Sequence, residues 1–165
     1  MVIDEADHKL TERFIKELHA MLKSGTSDSR KEWFLVGDYK KLPNEVGGRE
    51  TSLPENVADE MKQLLNSYNA GRRKTLEDIL DFHVKFERIH PFQDGNGRVG
   101  RLIMFKECLK NGIVPFIIED DIKLFYYRGL SEWNLETGYL RDTCLTGQDR
   151  FKQYLDYFKI PYEES

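Results

Sequence analysis

The chain has 165 residues, enough to bury a core and few enough for one domain. An apolar content of 39% with ten Phe and eight Tyr argues against disorder, and a net charge of −4 argues against a general nucleic-acid or membrane-surface binder. The acidic start, Met1 to Asp7, has no signal-peptide core and no apolar run is long enough for a bilayer, while Cys108 and Cys144 form neither a disulfide framework nor a CxxC and are expected as buried thiols in a reducing compartment.

Leu10, Phe14, Ile15, Leu18, Met21 and Leu22 recur at helical spacing and predict an amphipathic helix over about 8–24, with Gly25 as its stop. Gly25 to Ser29 reads as a loop. Trp33 to Tyr39 looks extended, and Leu42-Pro43-Asn44 and Gly47-Gly48 are turn signals, so residues 34–50 are expected as a β-hairpin kept at an edge by Pro43. Pro54 opens a second helix with a buried stripe of Val57, Met61, Leu64, Leu65 and Tyr68. A third helix runs from about Thr75 to His90 with Leu76, Ile79, Leu80, His83, Phe86 and Ile89 on one broad face, and Pro91 places His90 at the helix exit. A fourth starts near Asn96 or Gly97, ends near Asn111-Gly112 and is apolar on most sides, so it should be central. Further helices are expected over about 120–133 and 136–158, giving a mainly α chain with one small β element and no internal repeat.

The most informative passage is His90-Pro91-Phe92-Gln93-Asp94-Gly95-Asn96-Gly97-Arg98-Val99-Gly100-Arg101. It joins an imidazole, a carboxylate, a glycine-rich turn and two guanidiniums at a helix N-terminus, where free N–H groups and the helix dipole attract anions. A histidine titrates near working pH and suits proton abstraction. A carboxylate suits a hard cation already held by phosphates. Glycines let the backbone approach phosphate oxygens, and arginine forks bind them bidentately. Taken singly, each residue has a plainer use: a capping or core histidine, an Asp N-cap, an ordinary Gly-Asn-Gly turn, surface arginines. Two arginines just inside a helix N-terminus oppose the dipole, however, and an anionic ligand would offset that.

The passage resembles the signature of Fic-domain enzymes, His-x-Phe-x-(Asp/Glu)-Gly-Asn-Gly-Arg-x-x-Arg, at every fixed position. The resemblance extends from about residue 10 to the end, to a Fic-type helical bundle core with a β-hairpin flap beside the active site, in a single domain over 1–165. It implies a protein adenylyltransferase that moves AMP from ATP to a Ser, Thr or Tyr hydroxyl of a target protein. It makes His90 the general base and Asp94 the ligand of Mg²⁺ (or Mn²⁺) on the α- and β-phosphates. Gly95, Asn96 and Gly97 become the anion hole, with Asn96 on the α-phosphate, Arg98 on the β-phosphate side and Arg101 on the γ-phosphate. Gly97 favours nucleotidyl transfer, because the related Doc kinases replace it. The flap, about Asp38 to Gly48 and including Asp38, Tyr39, Lys40, Lys41 and Leu42, would align the target by edge pairing. Phe92 reads as a core anchor, and Tyr127, following the motif helix with Tyr126 and Trp133, is the expected adenine contact.

Removal of AMP, or transfer from another nucleotide or phosphodiester donor, would use the same site. A more distant alternative is a metal-binding helical bundle, from the Glu87-x-x-His90 spacing with His83 one turn earlier and a second copy in Glu5-x-x-His8; it leaves Gly95 to Arg101 without a role, and His83 and Glu87 read instead as structural or supporting residues. Many Fic proteins carry an inhibitory (Ser/Thr)-x-x-x-Glu-(Gly/Asn) helix whose glutamate pairs with the second motif arginine, here Arg101. Thr51 to Asn56 fits that string, but Pro54 forbids a helix interior there. The chain is therefore expected to be active as it stands. An inhibitory helix would come from a segment N-terminal to it or from a separate protein. The expected setting is a bacterial-type cytoplasm, with secretion as an effector and assembly into a homo-oligomer left open, and neither nucleic acid nor membrane as partner.

Overall fold

Six α-helices and one two-stranded antiparallel hairpin make up the regular structure of the described residues, in keeping with a mainly α chain. The computed structural model describes residues 1–71 and 73–163.

Helix α1 spans Glu12–Lys23, later than the expected start at 8. The Thr11 hydroxyl accepts the Phe14 N–H at 3.2 Å and caps the helix there. Phe14, Ile15 and Leu18 are buried, but Met21, expected on the same stripe, is exposed. The hairpin is much shorter than expected: β1 is Glu45–Val46 and β2 is Arg49–Glu50, with Glu45 opposite Glu50 and Val46 opposite Arg49. Gly47 and Gly48, both at positive φ, make the two-residue turn. Residues 34–44 do not pair as a strand: the Lys40 N–H, both main-chain groups of Leu42 and the Asn44 amide bond to the loop after the third helix, and the Gly37 N–H bonds to His19 on α1.

Helix α2, Pro54–Asn69, has proline in its first turn and buries the expected stripe from Val57 to Tyr68. Helix α3, Leu76–Ile89, starts in a capping box: Thr75 Oγ1 accepts the Asp78 N–H at 3.2 Å and Asp78 Oδ2 accepts the Thr75 N–H at 2.9 Å. Helix α4, Asn96–Lys110, is buried on most sides. It even buries Lys106, whose ammonium donates to the carbonyls of Ala6 and His8 and to Glu107 Oε1. A 3-10 turn, Asp120–Ile122, leads into α5, Lys123–Glu132, and α6 follows over Gly138–Tyr157.

Two apolar clusters flank the α3–α4 pair. One joins it to α1 and α2 through Phe14, Ile15, Met61, Phe82, Phe86 and Ile103. The other joins it to α5 and α6 through Leu80, Met104, Cys108, Tyr126, Leu140 and Cys144. Both cysteines are buried free thiols, as expected, and burial pushes the Cys108 thiol up to about 12. The connection between the two central helices, residues 90–95, is thus held at one end of the bundle by packing from both sides. No helix among the described residues is long and apolar enough to cross a membrane.

Candidate active site

His90 closes α3 as its C-cap, with φ 52° and ψ 61°, and its N–H donates to Phe86 O at 2.9 Å. A left-handed conformation is costly for a residue with a Cβ, about 1–2 kcal/mol, and persists where surrounding structure enforces it. Here Pro91 follows, and the ring is half-buried against α3. Its Nδ1 lies 3.3 Å from Glu87 O, a group that can only accept, so Nδ1 carries the hydrogen and Nε2 keeps its lone pair. Burial lowers the His90 pKa, and the nearby Lys40 charge adds to that, so the ring is neutral at neutral pH.

The loop after His90 is braced from inside. Asn96 is buried; its Oδ1 accepts the Phe92 N–H at 2.8 Å and its Nδ2 donates to Phe92 O at 2.7 Å. Both ends of the amide are spent on the loop, so the group Asn96 has left to present outward is its backbone N–H. Phe92 is fully buried and stacks on His19, with ring centroids 4.0 Å apart, an anchor as expected. Gly95, at φ 88°, precedes α4, and Val99 N–H is the first to bond back, to Gly95 O. The N–H groups of Asn96, Gly97 and Arg98 therefore stand at the open helix end.

Asp94 does not cap α4; Gly95 occupies that position without a side-chain bond. Its half-exposed carboxylate lies 2.7 Å from the ammonium of Lys23 and 3.6 Å from Arg98. The Lys23 bond holds the Asp94 pKa below the usual carboxylate range. Lys23 is itself buried, and its ammonium also pairs with Asp28 at 2.8 Å. One turn earlier on α1, His19 accepts the Gly37 N–H on Nδ1 at 2.9 Å, so Nε2 carries a hydrogen and donates to Asp94 O at 3.0 Å. Neither His19 nor Lys23 stands out in the sequence reading. The one local signal is a His and a Lys spaced i, i+4 on the apolar face of an amphipathic helix.

Arg98 is half-exposed beside Asp94. Arg101 lies over the Tyr126 ring, 5.8 Å from its centroid, and folds back so that a Cβ placed on Gly97 would stand 3.1 Å from its Nη1. Behind them, His83 Nε2 is 2.6 Å from the Tyr126 hydroxyl. Burial and the Arg101 charge push His83 down to about 3, and burial pushes Glu87 up to about 7 against the pull of Arg101.

The residues expected to form the flap are divided by the structure. Tyr39 and Lys40 are buried and present nothing to a partner. Lys40 N–H donates to Pro91 O at 2.8 Å, and its ammonium donates to Asn44 Oδ1 and Thr51 Oγ1, both at 2.7 Å. Asp38 pairs with Lys16 at 2.9 Å. Lys41 and Leu42 are exposed, but the Gln93 side-chain amide accepts the Leu42 N–H at 3.2 Å and donates to its carbonyl at 3.3 Å, closing that edge. The edge left open is the hairpin at Glu45–Glu50, tied to α5 by Arg49 donating to Ser131 Oγ at 2.9 Å. Of the aromatic candidates, Tyr126 and Trp133 are core residues, and Tyr127 is 49% exposed and presents a free surface. A cavity of about 410 Å³ lined by Arg73, Thr75, Asn111 and Gln148 lies at the other end of α3 from His90 and is unrelated to this site.

A family model described as the Fic/DOC family matches residues 9–108. The chain belongs to the Fic/DOC family. It is 33% identical over 92 residues to protein adenylyltransferase fic-1 of Caenorhabditis elegans, covering 53% of this chain and 18% of that protein. The match to protein adenylyltransferase Fic of Drosophila melanogaster is 32% over 97 residues, 57% of this chain and 20% of that one. The chain thus spans about a fifth of the length of these curated relatives. Among solved structures, a Fic domain-containing signaling protein from Bacteroides thetaiotaomicron superposes with a TM-score of 0.70 at 29% identity, over 95% of this chain and 62% of that one.

Proposed function

We propose that the chain is a protein adenylyltransferase that moves AMP from ATP to a Ser, Thr or Tyr hydroxyl of a target protein. The observation that carries this reading is the pairing of a neutral imidazole at the end of α3 with the open N-terminus of α4 within His90 to Arg101. The names of the relatives support the same activity. The hydroxyl oxygen bonds to the α-phosphorus, the bond to the bridging oxygen breaks, pyrophosphate leaves with the electron pair, and His90 Nε2 takes the proton. The N–H groups of Asn96 and Gly97 receive the α-phosphate oxygens, and Arg98 and Arg101 receive the rest of the triphosphate. Tyr127 offers a face to the adenine, and the Glu45–Glu50 edge offers pairing to an extended target segment.

Among the described residues no three His, Cys, Asp or Glu side chains gather as a metal site. One half-exposed, ionised carboxylate in front of a phosphate site fits Mg²⁺ or Mn²⁺ brought mainly by the triphosphate. Asp94 would hold that ion, which supplies charge neutralisation on the phosphates. An inhibitory glutamate from a helix outside these residues would act on Arg101, and adding such a helix in trans should lower turnover.

The test is incubation of the purified chain with Mg²⁺ and α-labelled ATP, alone and with cell lysate, beside a His90→Ala control. Label on protein that disappears in the variant is expected. Label indifferent to His90, or none with any protein, overturns the reading.

A further inference from the structure

Glu87 has no part in the reading above, yet its carboxyl group lies where the site's charges meet. It is one turn before His90 on α3, and its side chain is only 14% exposed. Oε2 stands 3.8 Å from His90 Nδ1, and Oε1 stands 3.9 Å from His83 Nε2. Oε1 is buried with no hydrogen-bond partner. The α4 backbone passes so close that a Cβ on Gly100 would come within 2.7 Å of this oxygen. The next residue is Arg101, whose charge reaches Glu87. A buried carboxyl with an unpaired oxygen is costly where an apolar side chain would pack without penalty. Fold stability alone gives no reason for it.

We propose that Glu87 is the positioning residue of the base: as a carboxylate it holds the His90 ring and stabilises the imidazolium formed when the target hydroxyl gives up its proton. This deepens the transfer reading and rests on it. The protonated ring would otherwise be unfavourable, half-buried and close to the Lys40 ammonium. The groups facing His90 are Glu87 from α3, Lys40 from the segment before the hairpin and Asp94 from the motif loop. Those facing Glu87 are His83 and His90 from α3, Arg101 from α4 and Tyr126 from α5. Among them Glu87 is the acid within 4 Å of the ring, and Arg101 supports its ionised form. The main-chain carbonyl of Glu87 already fixes the tautomer. Loss of the carboxylate should therefore cost less than loss of an orienting acid that also sets the tautomer.

The experiment is Glu87→Gln in the full chain, which keeps shape and removes charge. It combines NMR titration of the His90 ring, single-turnover transfer at saturating Mg-ATP, and ATP binding by calorimetry. The His90 pKa is expected to fall by about one unit and the single-turnover rate by about tenfold, the equivalent of that unit, with ATP affinity retained. An unchanged His90 pKa overturns the proposal, and so does a loss confined to ATP affinity, which would mean that Glu87 serves only Arg101. The titration needs no turnover, so an inactive parent would sink the transfer reading while leaving this question answerable. If Glu87→Gln does not fold, the Glu87 carboxyl is followed by NMR in the parent and in His90→Ala; ionisation at the same pH in both overturns the coupling.

Discussion

The ammonium of Lys23 and the carboxylate of Asp94 lie 2.7 Å apart across 71 residues of sequence. The lysine end is buried and the aspartate end is half-exposed. With His19 holding the main-chain oxygen of Asp94 from the previous turn, α1 sets where the motif acid stands. Replacing Lys23 by Met should lower stability, and Asp94→Ala should cost little more in that background. Because one end is solvated, the coupling in a double-mutant cycle is expected near about 1 kcal/mol. Urea denaturation of the parent, both single variants and the double reads it; strictly additive losses would mean that the pair does not act as a unit.

His90 is set in a conformation that suits glycine better than histidine. His90→Gly should therefore be no less stable than the parent by thermal melting, while transfer falls by about 10² to 10⁴. ATP binding should persist, because the role proposed for His90 is on the hydroxyl and not on the triphosphate. A large loss of ATP affinity would move His90 from base to ligand.

Gly97 and Gly100 lie on one helix but should respond oppositely to alanine. A methyl at Gly97 meets the movable end of Arg101 at 3.1 Å. That variant should match or exceed the parent in stability, since alanine favours helix by about 1 kcal/mol, and should weaken ATP binding by displacing the guanidinium.

At Gly100 a methyl would meet Glu87 Oε1 at 2.7 Å and His83 Cε1 at 2.8 Å, both inside the bundle. Overpacking there should cost about 1–3 kcal/mol. Melting of both variants with calorimetric ATP titration separates the two effects.

The stability of the parent should depend on pH through two neighbours of opposite sign. Glu87, raised from 4.5 to about 7, contributes stability that is present below about 4.5 and is lost as pH rises through 7. His83, lowered from 6.5 to about 3, contributes stability that is present above 6.5 and is lost as pH falls toward 3. Between 4.5 and 6.5 the two oppose each other. Glu87→Gln should uncover the histidine, so the variant gains on the parent as pH rises from 5 to 7.5. Urea midpoints at those two pH values test the sign; parallel shifts would show that Glu87 titrates normally.

The starts of α2, α3 and α4 were legible because their causes are local. Proline at the head of α2, the Thr75–Asp78 box and the glycine before α4 act within one turn of chain. His90 at a helix exit followed from Pro91 alone. The motif also named its own parts, since histidine, acid, glycines and arginines lie within one loop and the next turn.

What the spacing left open depended on residues distant in sequence. Asn96 turns inward because the loop's own backbone at Phe92 offers it two bonds. In segment 34–44 the groups at Lys40, Leu42 and Asn44 bond to Pro91, Phe92 and Gln93, and the Gly37 N–H to His19, instead of to a partner strand, and Lys40 is buried there despite its charge because Asn44, Thr51 and Ile89 surround its ammonium with oxygens. The sequence by itself determined the helices, the position of the motif between two of them and the kinds of group it carries, since these depend on caps, prolines and periodicity within a few residues. Only the tertiary structure decided that α1 holds Asp94 through His19 and Lys23, and that Glu87 stands behind His90 beside Arg101. Those contacts arise when helices distant along the chain pack together, and burial then determines which charges are paired and which protons are held.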